Sequence, residues 1–222
     1  MSNYRYELKF VLNENQLSHF KNLIKLHGFK KQHPKRKVSS IYFEDYSFNS
    51  LRDNISGISK RRKIRLRWYN NNTCPFLEIK KKSDRVGNKI KYKTSFKSNV
   101  EVENMNSREI SNVLFKNYSQ NSFLNELNLN PILFVSYERD YLTSIQGIRV
   151  TIDRKINFCS TSYFKKLKSI KKVSYNKIIV EIKFPIESKK LIIQLLSKTH
   201  LMPTRHSKYV SGLSKLGIAQ YI

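Results

Sequence analysis

Acidic residues are scarce: 16 Asp and Glu stand against 43 Lys and Arg in 222 residues, a formal net charge of +27. Such an imbalance implies a polyanionic partner, whether nucleic acid, an anionic membrane surface or a phosphate polymer, and does not by itself choose among them. Glycine and proline are also few, at 6 and 5, and no Gly/Ser-rich or Pro-rich linker interrupts the chain, so a single domain over residues 1–222 is the economical expectation. The two cysteines, Cys74 and Cys159, lack a CxxC spacing and a histidine cluster, which excludes a disulfide framework and a zinc signature; they read as reduced thiols. His19, His27, His33, His200 and His206 have no ligand-like spacing either. No apolar run approaches the roughly 20 residues of a spanning helix. The opening MSNYRYELKF has no apolar signal core or cleavage site. The expected location is therefore the cytoplasm, or a soluble part held peripherally at the inner face of a membrane.

What the sequence does contain is alternation. YRYELKFVL reads as a strand, and NENQLSHFKNLIKLHG as a helix with Asn13 or Asn15 as its cap, Leu17, Phe20, Leu23, Ile24 and His27 along one face, and Gly28 as its stop. KVSSIYFED, KIRLRWYN, PFLEIKKK and NKIKYKTSF follow as four strand-like segments, with turns at Asn70 to Thr73 and Gly87-Asn88. A helical interlude occupies roughly residues 106–130, after which ILFVSYERDYL, IRVTIDRKINF and KIIVEIKFP read as strands and ESKKLIIQLLSKT as an amphipathic helix. The lysine-rich stretches 30–37 and 164–172 read as solvated loops or faces. The 39% hydrophobic content, with 13 Tyr and 13 Phe, is ordinary for a packed core. The expected class is α+β: a closed or strongly curved antiparallel β-barrel of about eight strands with a few flanking helices.

In RRKIRLRWY, Lys63, Arg65 and Arg67 occupy alternate positions, with Ile64, Leu66 and Trp68 between them. Alternate residues of a strand share a face, so three cations stand in a row about 6.6 Å apart, backed by apolar groups. The pattern recurs. Arg5, Glu7 and Lys9 share a face, as do Glu78 with Lys80, Lys89 with Lys91 and Lys93, Arg149 with Thr151 and Asp153, and Glu181 with Lys183. Pointing outward, these faces make a basic barrel with an apolar filling; pointing inward, they line a polar tunnel. Cations 6.6 Å apart repel by roughly 2.5 kcal/mol at an effective dielectric near 20, and a bound phosphate chain converts that repulsion into charge-assisted hydrogen bonds. Glu7, Glu78 and Glu181 then pair with neighbouring cations or hold a divalent metal that meets phosphate oxygens. A nucleic-acid surface has less use for carboxylates, which repel the phosphate backbone.

Read in order, YELKF, SIYFED, KIRLRWY, FLEIKKK, YERDYL with RVTID, VEIKF and RHSKY resemble the VTC (vacuolar transporter chaperone) polyphosphate polymerase domain, a branch of the CYTH-like triphosphate tunnel metalloenzymes. The resemblance implies a basic tunnel that binds ATP, triphosphate and polyphosphate with a divalent metal, Mn2+ or Mg2+, and transfers the γ-phosphate of ATP to a polyphosphate chain. It matches Lys9, Lys80, Lys91 or Lys93, and Arg205 to phosphate-binding positions, to which the charged faces add Lys63 and Lys183, and it assigns catalytic contacts to Arg65, Arg67, Arg139, Arg149 and Lys208 and the metal to Glu181. The hydrolase branch begins with ExExK; here Arg5-Tyr6-Glu7-Leu8-Lys9 puts arginine at the first glutamate, which favours the polymerase-like branch. Three classes stay open: the polymerase, a triphosphatase or short-chain polyphosphatase of the same fold, and a non-catalytic polyphosphate- or anion-binding module. A membrane partner protein that takes up the product is a further expectation, with nucleic acid the less favoured partner.

Overall fold

The computed structural model describes residues 5–70, 74–83, 86–117 and 128–219. In chain order the elements are β1 (Arg5–Leu12), α1 (Glu14–Leu26), β2 (Lys30–Glu44), α2 (Asn49–Ile55), β3 (Arg61–Tyr69), β4 (Phe76–Ser83), β5 (Val86–Lys93), α3 (Asn99–Glu103), α4 (Ser107–Asn117), β6 (Asn130–Thr143), β7 (Arg149–Ser160), β8 (Val173–Tyr175), β9 (Ile178–Pro185), α5 (Lys189–Ser197) and α6 (Lys208–Lys215). Two compact units divide them. The first comprises Met1–Arg36, Tyr137–Ile156 and Tyr175–His206; the second comprises Lys37–Ser136, Asn157–Ser174 and Ser207–Ile222.

In the first unit the strand order is β1-β9-β7-β6-β2. β1 runs antiparallel to β9, with Glu7 opposite Lys183 and Lys9 opposite Glu181; β9 runs antiparallel to β7, with Glu181 opposite Thr151 and Lys183 opposite Arg149. Phe10 and Leu12 of β1, Ile148, Val150 and Ile152 at β7, and Val180 and Ile182 of β9 point to the other side, where Leu17, Phe20 and Ile24 of α1 and Ile192 and Leu195 of α5 complete an apolar core. α1 forms where its pattern predicts. Asn13 accepts from the Gln16 amide while Gln16 accepts from the Asn13 amide, a reciprocal cap, and Gly28 leaves the helix at a φ of 73° that few other residues tolerate.

The second unit orders its strands β6-β2-β3-β4-β5. β3 is antiparallel to both β2 and β4, and β4 to β5. Ile41, Phe43, Ile64, Leu66, Trp68, Leu77 and Ile79 form the core here, closed by Phe96, Val102, Ile110 and Leu114 from the α3–α4 region. Trp68 packs against Phe134 with ring centroids 6.0 Å apart. Buried phenylalanines in both cores carry out the packing role expected of the aromatic content.

Several local expectations need correcting. The stretch 30–37 is a solvated face as read, its side chains largely exposed, and of the two alternatives it is the face of a strand, β2, and not a loop. Gly87 and Asn88 lie inside β5, opposite Lys82 and Lys81, and are not the turn. α2 was not foreseen: it is seven residues long and starts from Phe48, whose side chain makes no cap and whose φ is 53°. Residues 118–127 of the expected helical interlude, and Asn71 to Thr73 of an expected turn, lie outside the described residues. The pairings establish an antiparallel sheet with a few helices, and not its closure. Cys74 and Cys159 are free thiols, the latter buried. Among the described residues no helix is long and apolar enough to cross a membrane.

Candidate phosphate and metal sites

Alternation in β3 has the consequence expected of it. Ile64, Leu66 and Trp68 enter the core of the second unit, so Lys63, Arg65 and Arg67 must emerge on the opposite face. Register then adds β4 and β5 to that face: Arg65 stands opposite Glu78, which stands opposite Lys91, while Lys63, Lys80 and Lys89 form the next row. Glu78 is 1% exposed. One of its oxygens, Oε2, accepts both Nε and an NH2 proton of Arg65, at 2.9 and 2.7 Å, with Arg67 at 3.9 Å; Oε1 faces the Nζ of Lys89 and of Lys91, each at 3.8 Å. Burial alone would raise the Glu78 pKa, but the charges of Arg65, Arg67 and Lys89 outweigh it and hold the carboxyl below its ordinary value. A single buried carboxylate thus organises a cationic surface whose charge it only partly offsets.

β2 and α6 support the same face. Arg67 donates from Nε to Ser40 Oγ at 2.9 Å, and Arg65 donates to the Tyr42 hydroxyl at 3.2 Å. Tyr42 packs on Tyr209 of α6 at 5.1 Å between centroids, and the Tyr209 hydroxyl donates to Glu44. Glu44 is 1% exposed and also accepts the Ser50 amide; burial pushes its pKa up to about 7. Lys63 donates to Ser207 Oγ at 2.8 Å and lies 5.6 Å from the Tyr209 ring centre. Ser207 also caps α6 by accepting the Val210 amide, and Lys208 begins that helix. Close packing fixes the helix: a Cβ at Gly212 would come within 2.8 Å of both Leu133 and Phe158.

The corresponding face of the first unit mixes both signs. Lys9 pairs with Glu7 at 2.9 Å and with Glu181 at 4.0 Å; Lys183 pairs with Glu181 at 2.8 Å and with Glu7 at 3.6 Å. Burial tends to raise the Glu181 pKa and Lys183 to lower it; Glu7 opposes the lysine and Lys9 assists it, leaving a net lowering. Arg139 grips Asp153 with two bonds, Nε at 2.6 Å and NH2 at 2.8 Å, and Asp153 is 1% exposed. Although burial disfavours the charged guanidinium, Asp153 keeps it protonated.

The donors fit a hard divalent cation that takes one or two carboxylates and completes its shell with phosphate oxygens and water. Glu181 and Glu7 would hold it, and the Thr151 hydroxyl, on the residue opposite Glu181, is a buried oxygen without a hydrogen-bond partner among the described residues. No group of three or more His, Cys, Asp and Glu side chains gathers among the described residues.

The sequence-derived residues therefore fall into two groups. Lys63, Arg65, Arg67, Lys80, Lys91 and Lys208 belong to the second unit's site, and Lys9, Arg139, Glu181 and Lys183 to the first unit's. Arg149, exposed, lies on the first unit's face opposite Lys183. Lys93 sits at the far end of its strand, opposite Phe76, and the register gives Lys89 and Lys91 the places beside Glu78. Arg205 is exposed in the segment before α6. Sequence reasoning missed Ser40, Tyr42, Glu44, Ser207 and Tyr209. For Ser40, Tyr42 and Glu44 the signal was a polar position every second residue in SSIYFE; Ser207 and Tyr209 stood in RHSKY, of which only Arg205 and Lys208 had been singled out.

This antiparallel architecture recurs in solved structures. PH1819 protein of Pyrococcus horikoshii OT3 is 16% identical with a TM-score of 0.53, covering 96% of this chain and 99% of that one. HpAC1 of Hippeastrum, whose structure is described as revealing a dominant triphosphatase activity, is 13% identical with a TM-score of 0.55 and 95% coverage of each chain. At these identities the likeness shows the fold. The sequence itself matches the VTC domain over residues 4–217, and the chain belongs to that family. No curated protein matched.

Proposed function

We propose that the chain is a polyphosphate polymerase-like phosphotransferase that moves the γ-phosphate of ATP onto the end of a phosphate chain, using Mn2+ or Mg2+ at Glu181. The observation that carries this reading is the β3–β4–β5 face, where Arg65, Arg67, Lys89 and Lys91 surround the buried carboxylate of Glu78 and Lys63 and Lys80 extend the row of Lys89. Phosphoryl transfer asks little covalent chemistry of a protein; it depends on aligning donor and acceptor and on offsetting charge on the transferring group. Arg65 and Arg67 suit that role because planar guanidinium groups, held by Glu78 and Ser40, lose little freedom on meeting phosphate. Lys63 and Lys208 flank them from β3 and α6. Lys9 and Lys183 neutralise the carboxylates of Glu7 and Glu181. A metal at those carboxylates would supply further positive charge to phosphate oxygens. The closed tunnel, the single domain over 1–222, a cytoplasmic location and a membrane partner belong to the same proposal.

The deciding experiment incubates the purified protein with ATP and manganese, then resolves products by gel and by phosphate release. Long chains are expected. Orthophosphate alone would replace the polymerase with a triphosphatase, and neither product, with tripolyphosphate still bound, would leave an anion-binding module.

A further inference from the structure

Tyr42 lies in SIYFED, one of the motifs that carry the family resemblance, yet neither that resemblance nor the alternation of charge assigns it a role. It stands opposite Arg65 across the β2–β3 pair and is 6% exposed. Its hydroxyl accepts a proton from Arg65, yet among the described residues its own proton has no acceptor. Both nearby carboxylates are already committed. Glu44, two residues along the same face of β2, takes the Tyr209 hydroxyl and the Ser50 amide. Glu78 takes Arg65 on one oxygen and faces Lys89 and Lys91 with the other. The groups facing Tyr42 from the elements packed against it are Arg65 and Arg67 of β3 and Lys208 and Tyr209 of α6: cations, plus a phenol whose proton is spoken for.

We propose that the Tyr42 hydroxyl is a further ligand for the bound phosphate group, donating its proton to a phosphate oxygen that Arg65 and Arg67 hold by charge. A buried donor ringed by cations finds its best acceptor in an anion, and an O–H···O⁻ bond is among the stronger hydrogen bonds. The ring is fixed in advance by its packing on Tyr209, so little freedom is lost when the bond forms. The acidity of the phenol agrees: burial would raise its pKa, but Arg65, Arg67 and Lys208 together with the Arg65 hydrogen bond bring it below the ordinary value.

This inference rests on the phosphate-binding reading of the same face, and the test separates the two. Tripolyphosphate is titrated calorimetrically, without metal, into the parent and into Tyr42→Phe, which keeps the ring and its packing. The expected loss of affinity is about tenfold or more, the usual worth of a hydrogen bond to a charged group. A parallel ultraviolet titration follows phenolate formation, the difference between parent and variant isolating Tyr42. Saturating tripolyphosphate should move that titration to higher pH, because the ligand offsets the cations and accepts the proton. Affinity within twofold of the parent, or a Tyr42 titration indifferent to ligand, overturns the assignment while leaving the phosphate face intact. Failure of the parent to bind tripolyphosphate overturns both. A variant with unchanged melting temperature and reduced affinity supports the ligand role over a packing one.

Discussion

The two units present charged faces of opposite design. In the first, carboxylates and cations alternate: Glu7 with Lys9, Glu181 with Lys183, Asp153 with Arg139. In the second, Glu78 is set among Arg65, Arg67, Lys89 and Lys91. The difference teaches what each can hold. A balanced face is close to neutral and offers oxygen ligands for which a cation can compete with lysine. An unbalanced face retains positive charge that Glu78 spaces and orients, and so is prepared for phosphate.

The largest effect should come from removing the guanidinium groups of the unbalanced face. Arg65→Ala with Arg67→Ala, combined with Glu78→Gln so that no buried carboxylate is stranded, is expected to weaken metal-free tripolyphosphate binding by about a hundredfold or more, two charge-assisted contacts being lost. Glu181→Gln in the balanced face should leave that affinity unchanged or tighter while lowering manganese affinity at least about tenfold, read by calorimetry. If the two variants behave alike, the contrast between the faces is wrong.

A second test uses pH. The Glu44 pKa rises from 4.5 to about 7 on folding, so between those values the folded protein keeps a proton that the unfolded chain has released. Stability should therefore fall as pH rises through that window, by about 3 kcal/mol at most, and level off above it. Denaturant unfolding of Glu44→Gln should lack this dependence. Glu78, lowered on folding, acts in the opposite direction: its contribution is present above the ordinary carboxylate value and is lost only as pH falls through its own folded pKa.

The smallest expected effect concerns the helix that carries Lys208. Glycine to alanine inside an exposed helix usually stabilises by up to about 1 kcal/mol, but at Gly212 the added carbon meets Leu133 and Phe158 at 2.8 Å. Overpacking of this kind costs about 1–3 kcal/mol, so the clash decides the sign. Gly212→Ala should lower the melting temperature by a few degrees.

The face of β3 was legible in the sequence because a single strand fixes it: once Ile64, Leu66 and Trp68 are inside, the cations are outside. The same held for α1, where the apolar face, the cap and the glycine all pointed to one helix. What was not legible depends on pairing between distant segments. The choice of Lys89 and Lys91 over Lys93 needs the β4–β5 register, and the grip of Arg139 on Asp153 needs two strands side by side. Tyr42 and Glu44 escaped because residues 38–44 are buried on both faces, so their alternate positions carry no stripe of charge like that of β3. Residues 30–37 were legible as a solvated face but not as a strand, their exposed charged side chains giving no apolar stripe to mark one.

β1 hydrogen-bonds to β9, Arg5 reaching Pro185 and Leu12 reaching Ile178. During synthesis the opening strand thus leaves the ribosome long before its partner exists. At about 5–20 residues per second the delay is on the order of ten seconds or more, during which Phe10 and Leu12 have α1 for cover and no strand to pair with. The nascent chain is consequently open to wrong associations through its first strand, and a cell making this protein has reason to keep a chaperone at the exit port until the last third has emerged.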